Sequence, residues 1–200
     1  MKTIRCILVV SLALGIFPPR RADADSSTYV APKDEAYIVF VKAGRGSKKA
    51  QFMIFDADLK CVSLFEDNVS EIIPVKPGTH TLYTMATNAH RMELNVEAGR
   101  TYFIRISLPK YGYGTIQLVP AKRDSEAFAQ VKEWVKGAKA SNPNEDSCRG
   151  LQLGAGKRGK DPYPGKRDDA DNKWKQNAEY REKLTMKKTD GFTAEEAGKL

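Results

Sequence analysis

The sequence predicts a mainly β protein: an antiparallel β-sandwich, followed by one amphipathic helix and a flexible basic tail. Stretches rich in β-branched and aromatic residues recur from residue 36 to 122, and no helical period interrupts them. Turn signals such as Pro77-Gly78 separate these stretches roughly every 8–12 residues, a spacing typical of sandwiches and barrels.

Eight strands are expected in a domain that spans residues 36–141 and includes the helix. Their predicted ranges are 36–41, 50–55, 59–65, 69–75, 79–87, 90–97, 101–108 and 115–120.

One hairpin can be given a register from its apolar pattern. With Asn88-Ala89 as a two-residue loop, Met85 faces Met92 and Tyr83 faces Leu94. The turn 98–100 then returns the chain so that Tyr102, Ile104 and Ile106 extend the same apolar face. This register places His80 beside Glu97 and separates it from His90, at the other end of the hairpin, by roughly 23 Å of strand.

A helix is expected from about Ser125 to Lys139, because Phe128, Val131 and Trp134 fall on one stripe. Beyond it, residues 142–200 are expected to be a flexible basic tail. The segment 144–170 is rich in glycine, proline and basic residues and has few apolar side chains to offset its ordering entropy. A short, mostly polar helix is expected at 171–188.

The composition bounds the class of protein. The chain has 200 residues, of which 41% are hydrophobic, 29% are charged and three are cysteines. This mix excludes a fully disordered chain and a membrane protein with many spans. The formal net charge is +8, but residues 25–120 are nearly neutral, which is a poor electrostatic match for nucleic acid.

Residues 1–24 have the organisation of a secretory signal peptide. Lys2 and Arg5 precede an uncharged apolar run at 7–17, and Ala22-Asp23-Ala24 fits a signal-peptidase site. The run is shorter than the roughly 20 residues of a transmembrane helix. We therefore expect cleavage after Ala24, a linker at 25–35, and an exported protein in the periplasm or cell envelope with no transmembrane segment in the mature chain. An uncleaved anchor is the alternative.

The sequence contains none of the common catalytic, nucleotide or metal motifs, and only two histidines. Asp56 and Asp58 flank a turn, where a turn-forming role outweighs cation binding or paired-carboxylate chemistry. We therefore assign no catalytic, cofactor-binding or metal-binding residues.

Two further features are left open by the sequence. Cys61 and Cys148 either form a disulfide, which would contribute roughly 4 kcal/mol in the chain-entropy model, or remain two free thiols. The stretch 149–167 carries a net charge of +5 and is either a solvated linker or a contact for an anionic surface. Its basic residues are Arg149, Lys157, Arg158, Lys160, Lys166 and Arg167.

Residues 36–134 contain two pieces that carry a family resemblance. They are Pro77-Gly78-Thr79-His80 and, about 18 residues later, Glu97-Ala98-Gly99-Arg100-Thr101-Tyr102. On these the chain resembles the DUF2846 family of bacterial envelope proteins and, in fold, PEGA-type and transthyretin-like sandwich modules. The resemblance implies a β-sandwich in the envelope and brings no known catalytic residues. Similar proteins are often lipoproteins, whereas this chain lacks a lipidation cysteine.

Two classes of function follow. The first is a non-catalytic envelope module that binds a protein, a glycan or an anionic surface. The alternative is a hydrolase or metal-dependent envelope enzyme with an unrecognised site on its loops.

Overall fold

The computed structural model describes residues 28–42, 52–65, 69–85, 88–107, 116–143 and 163–200. They form a mainly β protein, as predicted, with two five-stranded sheets. The predicted signal peptide, residues 1–24, lies outside these ranges. Within them, no helix has the length and apolar character needed to cross a bilayer.

Ten strands and five α-helices are numbered in chain order. The strands are β1 (Ala36–Val41), β2 (Phe52–Phe55), β3 (Cys61–Phe65), β4 (Val69–Val75), β5 (Gly78–Met85), β6 (Ala89–Val96), β7 (Thr101–Ser107), β8 (Gln117–Pro120), β9 (Lys139–Ser141) and β10 (Thr185–Met186). The helices are α1 (Glu126–Ala129), α2 (Val131–Val135), α3 (Tyr163–Gln176), α4 (Ala178–Lys183) and α5 (Ala194–Ala197).

Both sheets are mixed. The first sheet has the order β8-β7-β1-β4-β9 and the second has the order β10-β6-β5-β2-β3. The pairs β1–β7, β4–β9 and β10–β6 are parallel, and the other pairs are antiparallel. The predicted antiparallel pattern therefore fails at three pairs, each of which joins strands that are far apart in the sequence.

The main core takes side chains from both sheets. Ala36, Ile38 and Phe40 alternate along β1 and share one buried cluster with Met92 and Leu94 of the second sheet. The opposite face of β1 carries Val39 and Val41, which belong to a second cluster with Trp134. Each face of the first sheet is therefore covered by apolar side chains.

The helix predicted at 125–139 is shorter and interrupted. Ser125 caps α1 by accepting a bond from the Phe128 N–H, and Gln130 separates α1 from α2. The helix ends at Val135 because Gly137 adopts a φ of 75°, a left-handed conformation that stops helices. The chain then forms β9, which the sequence did not predict.

The predicted flexible tail is wrong for residues 163–200, which we call the C-terminal segment. Trp174, Leu184 and Met186 are almost fully buried in the main core. Phe192 pairs with Thr101 of the first sheet through two backbone hydrogen bonds, of 2.8 and 3.0 Å. The apolar residues are distributed over several short elements, so no single helical stripe signals their burial.

The predicted N-terminal linker is also part of the fold from residue 28. Tyr29 is buried, and its hydroxyl lies 2.5 Å from the hydroxyl of Ser70. The Thr101 hydroxyl donates to the Tyr29 carbonyl at 2.6 Å. These contacts fix the segment that precedes β1 against the outer face of the first sheet.

The predicted β5–β6 register is wrong by three residues. Leu82, not Met85, pairs with Met92, and His80 pairs with Leu94. Met85 and Tyr83 consequently face outward, where they form a third cluster with Ala170 of α3. The sequence pattern misled because both faces of this strand are buried, one under the first sheet and the other under α3.

The predicted turn at 98–100 is present, but it connects the two sheets. Gly99 has a φ of 71°, which suits a left-handed turn position. The following strand, β7, joins the first sheet beside β1, while β6 belongs to the second. Tyr102 and Leu94 thus lie in the same core from opposite sheets, instead of on one three-stranded face.

Candidate functional site

A surface cleft of ≈ 870 Å³ lies at the side of the two sheets, and we call it the side cleft. Two separate parts of the chain form it: the turn between β8 and α1, and the stretch from α4 through β10 to Asp190. Its lining is Lys122, Arg123, Asp124, Ser125, Ala178, Arg181, Glu182, Thr185, Lys187, Thr189 and Asp190.

Arg123 holds one wall of the side cleft in place. Its guanidinium donates to both carboxylate oxygens of Glu196, with the shorter bond 2.6 Å, and to the carbonyls of Thr189 and Gly191. The Arg123 hydrogen bond lowers the pKa of Glu196 to about 2. The guanidinium also lies over the ring of Phe128, 4.3 Å from its centroid. The Arg123 guanidinium therefore makes its hydrogen bonds within the protein.

Asp190 supports the floor of the side cleft. One carboxylate oxygen accepts from the backbone N–H of Arg123 at 3.0 Å, and the other accepts from the N–H of Lys187 at 2.7 Å. The residue is buried. Asp190 therefore joins two walls and presents little free carboxylate to a ligand.

Lys122 closes one end of the side cleft. Its ammonium group donates to the backbone carbonyl of Glu182, in the last turn of α4. A cation at this position is favoured by the partial negative charge of a helix C-terminus. The contact ties the β8–α1 turn to the C-terminal segment.

The side chains that remain available to a ligand are of both charge signs. Arg181 and Lys187 are exposed cations, and Asp124 and Glu182 are exposed carboxylates. The Arg181 guanidinium donates to the Trp174 carbonyl at 3.1 Å. The lining therefore offers donors and acceptors in similar numbers.

A histidine–tyrosine contact fastens α4 from behind the cleft wall. His90 is buried, with Nε2 2.7 Å from the Ile116 carbonyl oxygen and Nδ1 2.9 Å from the Tyr180 hydroxyl. The Ile116 carbonyl can only accept, which favours a proton on Nε2 and leaves Nδ1 to accept from Tyr180, while the Asn88 side-chain amide nitrogen also lies 2.6 Å from Nε2. Burial lowers the pKa of His90 and raises the pKa of Tyr180 to about 12. Burial therefore favours the neutral form of both side chains.

A second polar cluster fastens α3 to the outer face of the second sheet. Asp171 accepts from the Tyr83 hydroxyl at 2.8 Å and from the Arg91 guanidinium at 2.9 Å. Burial, followed by the bond to Asp171, raises the pKa of Tyr83 to about 12. The guanidinium of Arg91 also lies 5.1 Å from the centre of the Trp174 ring.

The basic residues predicted to contact an anionic surface are only partly within the described ranges. Lys166 and Arg167 lie in α3, where the guanidinium of Arg167 is 3.5 Å from the carboxylate of Asp168. Arg149, Lys157, Arg158 and Lys160 lie outside the described residues. The acidic residues that follow Arg167 in the helix offset its charge locally.

Of the two cysteines predicted to pair, only Cys61 lies within the described residues. Cys61 is disulfide-bonded. Cys148 lies outside the described residues, so the pairing of Cys61 with Cys148 stays a prediction.

The predicted pairing of His80 with Glu97 is wrong. His80 lies opposite Leu94, and its Nε2 is 2.7 Å from the Lys76 carbonyl oxygen. His90 lies opposite Thr84, four strand positions away, or about 13 Å at strand rise. The two histidines therefore do not share a site.

Asp56 acts as a turn-forming residue. Its side chain accepts from the N–H of Asp58 at 3.0 Å and from the N–H of Lys60 at 2.8 Å. Across the described ranges, no group of three or more His, Cys, Asp or Glu residues is placed to hold a metal ion.

The sequence did not predict the side cleft. Its residues come from the helix start near Ser125 and from the segment expected to be flexible. The one available signal was the alternation of charge and threonine at 181–190, which resembles an ordinary solvated surface.

The chain matches no protein-family model and no curated protein.

Proposed function

We propose that this chain is an exported, non-catalytic binding module of the cell envelope, and that the side cleft is its ligand-contact surface. The geometry of the side cleft is the observation that supports this proposal. Residues 122–125 and residues 178–190, which are far apart in the sequence, are linked through Lys122, Arg123 and Asp190 into one concave surface. Its volume lies within the range typical of ligand sites, roughly 300–1,000 Å³.

The chemistry of the polar groups favours binding over catalysis. Proton-transfer catalysis needs a group that can exchange a proton with a ligand near neutral pH. His90 has both ring nitrogens engaged internally, and Asp171 and Asp190 accept hydrogen bonds within the fold. These residues hold elements together.

For the fold, we propose a two-layer sandwich of the transthyretin and PEGA kind, as the resemblance to the DUF2846 family implies. The common core of the two sheets supports this. The parallel pairs and the C-terminal segment would be additions to that plan.

Export is the second part of the proposal, with cleavage after Ala24. Tyr29 is anchored by Ser70 and Thr101, so removal of residues 1–24 would leave these contacts in place. Mass spectrometry of the protein from its host should give Asp25 as the N-terminal residue. A bulk population that retains Met1 would contradict export by cleavage.

A contact with an anionic envelope surface is the third part. We expect the mature chain, 25–200, to bind vesicles of phosphatidylglycerol and phosphatidylethanolamine, and to lose binding as salt is raised. Each basic residue near such a surface contributes about 1 kcal/mol, and screening acts over roughly 8–10 Å. The test variant replaces Arg149, Lys157, Arg158 and Lys160 with Gln.

The matched control replaces four basic residues of other segments with Gln: Lys33, Lys132, Lys136 and Lys173, all exposed. Binding should fall only in the first variant. Equal loss in both would mean that net charge alone drives adsorption, and unchanged binding in the first would remove this surface from the proposal. Deletion of residues 163–200 is unsuitable as a test, because that segment belongs to the core.

A further inference from the structure

The strand that borders the side cleft has a free outer edge. β10 is the outermost strand of the second sheet and pairs only with β6 in that sheet. The N–H of Glu93 donates to the Leu184 carbonyl at 3.2 Å, and Thr185 is the register partner of Glu93. In a parallel ladder of this register, Glu93 bonds the residues on either side of Thr185. The N–H and C=O of Thr185 therefore point away from the sheet.

Thr185 is itself a lining residue of the side cleft. The next backbone N–H that could extend the edge, that of Lys187, already donates to Asp190. The open edge is thus short, and its one residue, Thr185, shares the cleft lining with the exposed charges of Arg181, Lys187 and Asp124.

The side chains that line the cleft favour one class of ligand. Ala178 is the only lining residue with a wholly apolar side chain, so apolar contact comes mainly from the carbon stems of charged side chains, whose end groups a lipid chain would leave without polar partners. A polyanion would meet the carboxylates of Asp124 and Glu182, and a polycation would meet Arg181 and Lys187. An extended peptide that carries both charges satisfies all four side chains and supplies a backbone N–H and C=O for Thr185.

We propose that the side cleft binds an extended, mixed-charge peptide segment of a partner protein, which pairs through its backbone with Thr185. This is a short form of strand addition, in which main-chain hydrogen bonds give affinity and side-chain contacts give selectivity. The proposal rests on the proposed function, because it names the ligand class of the same cleft.

The first test measures amide hydrogen exchange by NMR in the mature chain, 25–200. The Thr185 amide should exchange rapidly, whereas the Met186 amide, which faces β6 in this register, should be protected. A protected Thr185 amide in the free protein would overturn the proposal, because the edge would already be occupied.

The second test selects from a display library of random ten-residue peptides on the immobilised mature chain. The cleft variant is Asp124→Lys with Glu182→Lys. The matched control is Asp169→Lys with Glu179→Lys, which changes the same charge on exposed residues outside the lining. Selected peptides should carry both charges, protect the Thr185 amide, and bind the cleft variant about tenfold more weakly than the control.

Three results would reject the peptide proposal: no enriched peptide, equal binding to both variants, or uniformly acidic peptides that identify an anion site. The vesicle experiment is independent of these outcomes. If vesicle binding by the mature chain persists while peptide selection fails, the peptide proposal falls and the proposed envelope function does not.

Discussion

Replacing Met186 tests whether the C-terminal segment is part of the fold. Met186 lies in β10, is fully buried, and pairs with Leu94. Met186→Ala removes a core side chain and leaves a cavity between the sheets. Substitutions of this kind cost about 2–5 kcal/mol of the free energy of unfolding.

The size of this effect can be expressed as a melting temperature. In a domain of 150–250 residues, 1 kcal/mol shifts the Tm by roughly 2–4 °C. Met186→Ala should therefore lower the Tm of the mature chain by roughly 4–20 °C. Since total stabilities are about 5–15 kcal/mol, this is a large fraction of the whole.

The assay is thermal and urea unfolding followed by far-UV circular dichroism and by tryptophan fluorescence. Lys175→Ala is the matched control, because Lys175 is exposed on α3, in the same segment. Its cost should stay within about 0.5 kcal/mol. If Met186→Ala unfolds like the control, the segment is not packed between the sheets, and the side cleft would not form.

The other predictions concern His90, Glu196 and Cys61. Burial lowers the pKa of His90 below its usual 6.5, so as pH falls this histidine is protonated in the unfolded chain before it is protonated in the folded one. The free energy of unfolding should therefore fall as pH drops below 6.5. His90→Gln should flatten that part of the pH–stability curve. Because Arg123 lowers the pKa of Glu196, the ionised carboxylate should stabilise the fold above pH 4.5, and this stabilisation should be lost as pH falls toward about 2. Arg123→Met should weaken this pH dependence of the free energy of unfolding. An unchanged curve would contradict the Arg123–Glu196 ion pair. If Cys61 pairs with Cys148, thiol titration of the mature chain, unfolded without reductant, should find no free thiol. The Cys148→Ser variant should then show one free thiol. Two free thiols in the parent chain would refute the pair.

The strands that the sequence predicted well are those with local signals. β1 and β4 occur within the predicted limits, because each is a β-branched or aromatic run bounded by turn residues. Their neighbours could not be inferred, since β1 pairs in parallel with a strand that follows some sixty residues later. Local pattern identifies a strand, while its partners depend on the whole chain.

The register error on β5 has a similar origin. The rule that alternation separates a buried face from a solvent face assumes one solvated side. Here Leu82 and Tyr83 are adjacent and both buried, one in the main core and the other beneath α3. With apolar residues on both faces, the pattern fits more than one register.

The side cleft could not be inferred because its walls meet only in three dimensions. Ser125 was correctly expected near the start of a helix. Its neighbours Lys122 and Arg123 have partners in the part of the chain that was expected to be a flexible tail with a short, mostly polar helix at 171–188. A few well-spaced large side chains, Trp174 and Phe192 among them, were enough to order that segment.

The late position of these partners constrains the order in which the chain can fold. Tyr180 follows His90 by 90 residues, and Gly191 follows Arg100 by 91. Contacts of such high contact order form slowly, because a long loop must close before they can stabilise anything. During synthesis, the second sheet would lack β10 until residues 185–186 have emerged. The main core would stay incomplete until then, because Leu184 and Met186 belong to it.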